Sequence, residues 1–135
     1  MNPKVTWVTI LLLILAGVRS IILSFLAMDL LVEGVINIVT LILILLALAC
    51  IIAFVGTLRR ESWGAMIAYL AAEMDIAYQV TYLVIFFVGG ISSQEGGELI
   101  MVTIVGVITD GIIYLLARKE MNRLIALEVN TEAKN

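Results

Sequence analysis

Four ionisable side chains lie inside long apolar runs of this 135-residue chain: Arg19, Glu73, Asp75 and Asp110. At mid-depth in a bilayer, each would cost about 2.5–3.5 kcal/mol if it stayed charged and faced the hydrocarbon. Together they would cost roughly 12 kcal/mol, which is about the whole stability of a typical domain. These side chains therefore have to face inward, pair, bind water or take up a proton.

Three carboxylates face a single guanidinium in this set. One arginine can hold one carboxylate in a bidentate pair, so two carboxylates are left for a proton, a cation, water or a partner's basic group. A surplus of intramembrane carboxylate is typical of proton and cation pathways, and also of subunits that dock on a partner's arginine or lysine. For Arg19 and its one carboxylate we favour the simpler interpretation, a structural ion pair.

Helical phase separates the acidic groups of the third apolar run. Asp75, Gln79 and Tyr82 fall on one stripe, and Glu73 lies on nearly the opposite face. We therefore expect one face to line the helix bundle and the other to meet a second copy or another subunit. The stripe itself is either a hydrogen-bonded seam or an ion pathway. Asp110 has no basic residue within reach on its own helix, which favours a functional or partner-facing role.

A second acidic stripe, Asp29, Glu33 and Asn37, lies at the outer end of the second apolar run. It predicts either an outer acidic vestibule that attracts cations or a solvated, capped helix end.

The composition indicates where these residues lie. The chain is 63% hydrophobic and 14% charged, against about 45–50% and about 25% in soluble domains. Its mean hydropathy is +1.17. These values exclude a soluble globular domain, a disordered chain and a nucleic-acid-binding protein, and they indicate the lipid bilayer as its surroundings.

The residues that are missing restrict the chemistry. The sequence has no histidine and one cysteine, Cys50, so it has no His-ligated metal site, nucleophile–His dyad, internal disulfide or CxxC pair. We read Cys50 as a small core residue. We therefore expect no enzymatic activity, no catalytic residue, no cofactor and no metal site.

Four apolar runs are long enough to cross the roughly 30 Å of hydrocarbon, at about 5–28, 34–58, 63–88 and 99–117. Spans in lipid must satisfy their own backbone hydrogen bonds, so these runs predict helices, with Ser62 as the N-cap of the third. Short connections make neighbouring helices antiparallel. The predicted fold is all-α, a transmembrane four-helix up-down bundle over 1–117. Residues 118–135 form a cytoplasmic helical tail, which either lies on the membrane surface or is a solvated turn.

The basic residues predict the orientation. Seven of the eight flank one side of the predicted bundle: Lys4, Arg59, Arg60, Arg118, Lys119, Arg123 and Lys134. By the positive-inside rule, this side is cytoplasmic, so both termini are expected in the cytoplasm of a multi-pass protein of the plasma (cell) membrane.

Two short segments resemble those of small, uncharacterised prokaryotic four-helix integral membrane proteins. They are the span end Gly56-Thr57-Leu58-Arg59-Arg60-Glu61-Ser62-Trp63-Gly64 and the run Ile113-Tyr114-Leu115-Leu116-Ala117-Arg118-Lys119-Glu120. The resemblance implies a membrane bundle but assigns no activity to any residue. In size and helix count the chain is also similar to small multidrug-resistance transporters. However, their key acid lies in the first helix, where this chain has Arg19.

Two functional hypotheses remain from the sequence. In the first, the chain is a non-enzymatic accessory or structural subunit, or a homo-oligomer, whose intramembrane carboxylates pair with Arg19 and with a partner. In the second, it is a small oligomeric transporter or channel for protons or cations that uses Glu73, Asp75 and Asp110. We favour the first slightly, because the chain is small and its third helix carries acids on two faces.

Overall fold

The computed structural model describes residues 5–32, 34, 37–89 and 93–133, and almost all of them are helical. The helices are α1 (Trp7–Val32), α2 (Ile38–Leu58), α3 (Ser62–Val88) and α4 (Ser93–Glu132). No strand occurs in these ranges, so the all-α prediction is confirmed.

The four helices pack in a ring. α1 contacts α2 and α4, and α3 contacts the same two helices. Two clusters of buried apolar side chains fill the interior, and both are rich in alanine, which lets the helices approach closely. One contains Val8, Leu12, Ala53, Ala68, Ala72, Ile113, Leu116 and Ala117, and the other Leu23, Ala27, Leu43, Leu46, Ala47, Cys50 and Ala71. Cys50 is thus a core residue in this structure.

The α2–α3 connection is a tight turn that brings two glycines together. Arg60 has φ 60°, a left-handed conformation, and the backbone N–H of Glu61 donates to the Gly56 carbonyl. A Cβ atom on Gly64 would meet the backbone of Gly56 and Thr57. Only glycine fits at this crossing. The N-cap position belongs to Glu61 rather than to Ser62, which is the first helical residue.

α4 differs from the predicted boundaries at both ends. It begins at Ser93, before the predicted start at about 99, and it continues past residue 117 to Glu132 without a break. Forty residues correspond to about 60 Å of helix, roughly twice the hydrocarbon thickness. The segment after residue 117 is helical up to Glu132, as predicted, and it continues α4.

Three helical segments in the described part are long and apolar enough to cross a membrane: α1, α2 and Ile100–Glu132. α3 is not among them; it carries Glu73, Asp75 and Gln79. The outer surface of the bundle is apolar, with large side chains such as Phe25, Leu45 and Met101 more than half exposed. This surface is compatible with a protein that is embedded in lipid.

Candidate functional site

Arg19 of α1 binds two aspartates from different helices. Its Nη2 lies 2.6 Å from Asp75 Oδ2 of α3 and 3.0 Å from Asp110 Oδ2 of α4, and its Nε donates to Asp75 Oδ2 at 2.8 Å. The aspartate side chains are 3% and 1% exposed, and that of Arg19 is 12% exposed. The predicted ion pair is therefore a three-residue cluster, in which one guanidinium serves both carboxylates.

Gln79 completes this group, which we call the Arg19 cluster: Arg19, Asp75, Gln79 and Asp110. The Gln79 Nε2 donates to Asp110 Oδ2 at 2.5 Å. Gly106 makes room for this amide, since a Cβ there would collide with the end of the Gln79 side chain. Three helices are thus joined by hydrogen bonds to two carboxylates.

The charged residues occupy positions that the helical repeat assigns to the core. In α1, Leu12, Ala16, Leu23 and Ala27 are buried, and Arg19 falls in the same series at intervals of three and four residues. Asp110 likewise stands between Gly106 and Ile113 in the inward stripe of α4. Each charge replaces one apolar side chain of a buried stripe, which is why the charges meet.

One carboxylate oxygen in the cluster accepts no hydrogen bond from the described residues. Asp75 Oδ1 is buried and has no hydrogen-bond partner among the described residues. Asp75 also lines a cavity of about 240 Å³ to which all four helices contribute. Its lining residues are Arg19, Leu23, Leu26, Leu43, Asp75, Tyr78, Gln79, Tyr82, Val102, Thr103 and Gly106.

Glu73 lies apart from this cluster. It is exposed on α3, on the side away from the buried Asp75. Its neighbours along that surface at helical spacing, Met66, Leu70 and Val80, are all at least 44% exposed. This outward stripe, Met66, Leu70, Glu73 and Val80, is an apolar surface with one carboxylate in its middle.

The other predicted residues fall in three places. Tyr82 lines the cavity and stacks with Tyr78, with ring centroids 6.2 Å apart. Asp29 is exposed near the end of α1, whereas Asn37 caps α2 by accepting a hydrogen bond from the Thr40 N–H. Asp29 and Asn37 thus belong to different helix ends, and Glu33 lies outside the described residues.

Sequence reasoning missed a second buried ionic group. Glu120 is 1% exposed, its Oε1 lies 2.6 Å from Arg123 Nη2, and it accepts a hydrogen bond of 2.6 Å from the Thr9 hydroxyl. The helical spacing of the sequence could have indicated that Glu120 is buried. At intervals of three and four residues, one buried stripe of α4 contains Ile113, Ala117, Glu120 and Leu124. Treating 118–135 as a separate tail hid that continuity.

Two further polar contacts lie near the same end of the bundle. The hydroxyls of Tyr69 and Tyr114 are 3.1 Å apart, and the Lys119 ammonium lies 5.2 Å from the centroid of the Trp7 ring. The described residues contain no group of three or more acidic, cysteine or histidine side chains that could hold a metal ion.

Comparison with protein-family models, with curated proteins and with solved structures finds no match to this chain.

Proposed function

We propose that this chain is a non-enzymatic, four-span membrane protein that works as a subunit of a larger membrane assembly and docks through Glu73 of α3. The observation that carries the proposal is the exposed Glu73 on the outward stripe, halfway along a helix. A carboxylate facing hydrocarbon at that depth costs several kcal/mol, and a partner's basic group removes this cost.

The proposal favours a different chain over a second copy as the partner. Arg19 is bound by Asp75 and Asp110. The other basic residues of the described part lie in the α2–α3 turn or in the last third of α4: Arg59, Arg60, Arg118, Lys119 and Arg123. Among its described residues, a second copy would therefore bring only Arg19, which is already paired, to the depth of Glu73.

The contacts along the bundle support an up-down arrangement with both termini on one side. Thr9 near the start of α1 meets Glu120 late in α4, whereas Arg19 meets Asp110 earlier in α4. Tyr69 and Gln79 of α3 similarly meet Tyr114 and Asp110. With basic residues clustered at that end, we place both termini in the cytoplasm.

Co-purification tests the docking proposal. The tagged chain is extracted from its native membrane in mild detergent, and the complexes are separated by size and identified by mass spectrometry. We expect wild type to bring a partner that carries a basic residue in a membrane span, and Glu73→Gln to lose it. Glu128→Gln, which removes an exposed acid at the end of α4, is the matched control and should retain the partner.

Two outcomes would contradict this proposal. If Glu73→Gln retains the complex as well as Glu128→Gln does, then Glu73 is not the docking contact. If only differently tagged copies of this chain co-purify, the assembly is a homo-oligomer.

A proton- or cation-coupled transporter or channel is the second candidate function. It is favoured by the excess negative charge of the Arg19 cluster and by the adjoining cavity. An open pathway is not present in this conformation between the Arg19 cluster and the bundle end near Thr9 and Glu120. Buried apolar side chains fill that region: Leu12, Ala68, Ala72 and Ala117. Flux of protons or cations in vesicles that is lost in Asp75→Asn and Asp110→Asn would establish transport. Inert vesicles would exclude it.

A further inference from the structure

Two cavities share part of their lining at the Arg19 cluster. The inner cavity, of about 240 Å³, is lined by all four helices and includes Asp75. The lateral cavity, of about 330 Å³, lies between α1 and α4 and is lined mainly by apolar side chains, with Arg19 and Thr109 as its polar members. Arg19, Val102 and Gly106 line both. A molecule with an apolar body in the lateral cavity could therefore place a polar head in the inner one.

The charges of the cluster determine which head fits. With both carboxylates ionised, Asp75, Asp110 and Arg19 together carry one negative charge. Asp75 Oδ1 is buried and unpartnered, so it can accept a hydrogen bond that no described residue supplies. A buried polar atom without a partner is uncommon in folded proteins and points to a bound group. The complement is a positively charged donor of N–H bonds.

The aromatic residues of the inner cavity favour the same ligand. Tyr78 and Tyr82 both line it, and their rings are stacked with centroids 6.2 Å apart. Ring faces attract cations within about 6 Å, the more strongly where water is excluded. An anionic head, by contrast, would have to compete with two carboxylates for Arg19.

We propose that the two cavities form one binding site for an amphipathic primary ammonium compound, with its ammonium group at Asp75 Oδ1 and its hydrocarbon chain between α1 and α4. The site is independent of the docking role of Glu73, because Glu73 lines neither cavity.

Equilibrium dialysis with radiolabelled n-hexylammonium tests the proposal. The full chain is purified in a nonionic detergent at neutral pH, and protein-free micelles measure partitioning into detergent. We expect one saturable site per chain. Unlabelled n-hexanol, which has the same chain and no charge, should not displace the ligand.

Two variants separate the head site from the chain site. Asp75→Asn removes the surplus charge, and we expect affinity to fall at least tenfold. Val102→Trp places a large ring at a residue that lines both cavities, and we expect a similar loss. Val102 is 70% exposed, so this variant should fold even if Asp75→Asn does not. Ile104→Trp is the matched control. Ile104 is exposed and lines neither cavity, so this variant should bind the ligand like wild type.

Several results would overturn the site. They are the absence of saturable binding, equal displacement by n-hexanol, and binding to Val102→Trp as tight as to Ile104→Trp. If Asp75→Asn folds and binds like wild type, Asp75 is not the ammonium site. Glu73→Gln should bind n-hexylammonium normally, so failure of the docking proposal would leave this test unaffected.

Discussion

The Arg19 guanidinium divides its hydrogen bonds between carboxylates on two other helices. Because Asp75 belongs to α3 and Asp110 to α4, the cluster joins three of the four helices at one depth. In a low-dielectric interior, a charge without its partner costs far more than the pair contributes to stability. The cluster therefore acts mainly by penalising arrangements in which these helices do not meet.

Removing the arginine alone should be strongly destabilising. We expect Arg19→Leu to lower the free energy of unfolding by about 3–5 kcal/mol, because it leaves two buried carboxylates without their basic partner. Unfolding can be followed by circular dichroism during titration of mixed micelles with sodium dodecyl sulfate.

The triple variant Arg19→Leu/Asp75→Asn/Asp110→Asn is the control for that experiment. It removes all the charge of the Arg19 cluster and should recover most of the lost stability. A triple variant as unstable as Arg19→Leu would mean that packing around Arg19, rather than charge, is responsible.

The Glu120 group gives a second prediction at the scale of single residues. Arg123→Gln leaves Glu120 buried without its ion pair, and we expect a loss of about 2–3 kcal/mol. Arg118→Gln, one turn earlier and exposed, should change the stability by less than about 0.5 kcal/mol. Equal unfolding midpoints for the two variants would contradict the assignment of Glu120 as a buried, paired carboxylate.

At the scale of helices, α2 and α3 approach each other closely at the crossing of Gly56 and Gly64. The two backbones are in contact there, and Trp63 packs beside them. This contact fixes the start of α3 against the end of α2. It thereby fixes which face of α3 carries Asp75 inward and Glu73 outward.

We expect Gly64→Ala to destabilise the bundle by about 3 kcal/mol, since its methyl group would have to displace backbone rather than a side chain. Gly111→Ala is the matched control. A Cβ there meets nothing within 4 Å, and replacing a helical glycine should stabilise by about 0.5–1 kcal/mol. The same detergent titration measures both, and a Gly64→Ala protein as stable as Gly111→Ala would contradict the crossing.

Some features of the helices could be predicted from the sequence and others could not. Apolar length predicted four helices, and phase correctly separated Asp75 and Gln79 from Glu73, because both follow from the periodicity of one helix. The joint pairing of Arg19 with two aspartates was not predictable, since it depends on how three helices are rotated against each other. The end of α4 was misjudged because charged residues were taken to end the packed region. Glu120 is buried where α4 packs against α1, and the Thr9 hydroxyl of α1 donates a hydrogen bond to it.

At the scale of the whole molecule, the interior carries buried ionic groups and the surface is apolar, the reverse of a soluble bundle. α1, α2 and most of α4 can cross a membrane by length and composition, and α3 packs between α2 and α4. If α3 crosses with them, Glu73 lies in hydrocarbon and needs a partner. The docking proposal depends on that depth.

The accessibility of a cysteine at residue 73 tests most directly whether Glu73 lies within the hydrocarbon. In a Cys50→Ser background, Asp29→Cys, Glu73→Cys and Glu128→Cys are treated with a membrane-impermeant maleimide in intact and in permeabilised cells. We predict that Cys at 29 reacts in intact cells and that Cys at 128 reacts only after permeabilisation. Cys at 73 should react in neither, and only after denaturation in sodium dodecyl sulfate. Labelling at 73 as fast as at 29 or 128 in native membranes would place Glu73 in water and contradict the proposal.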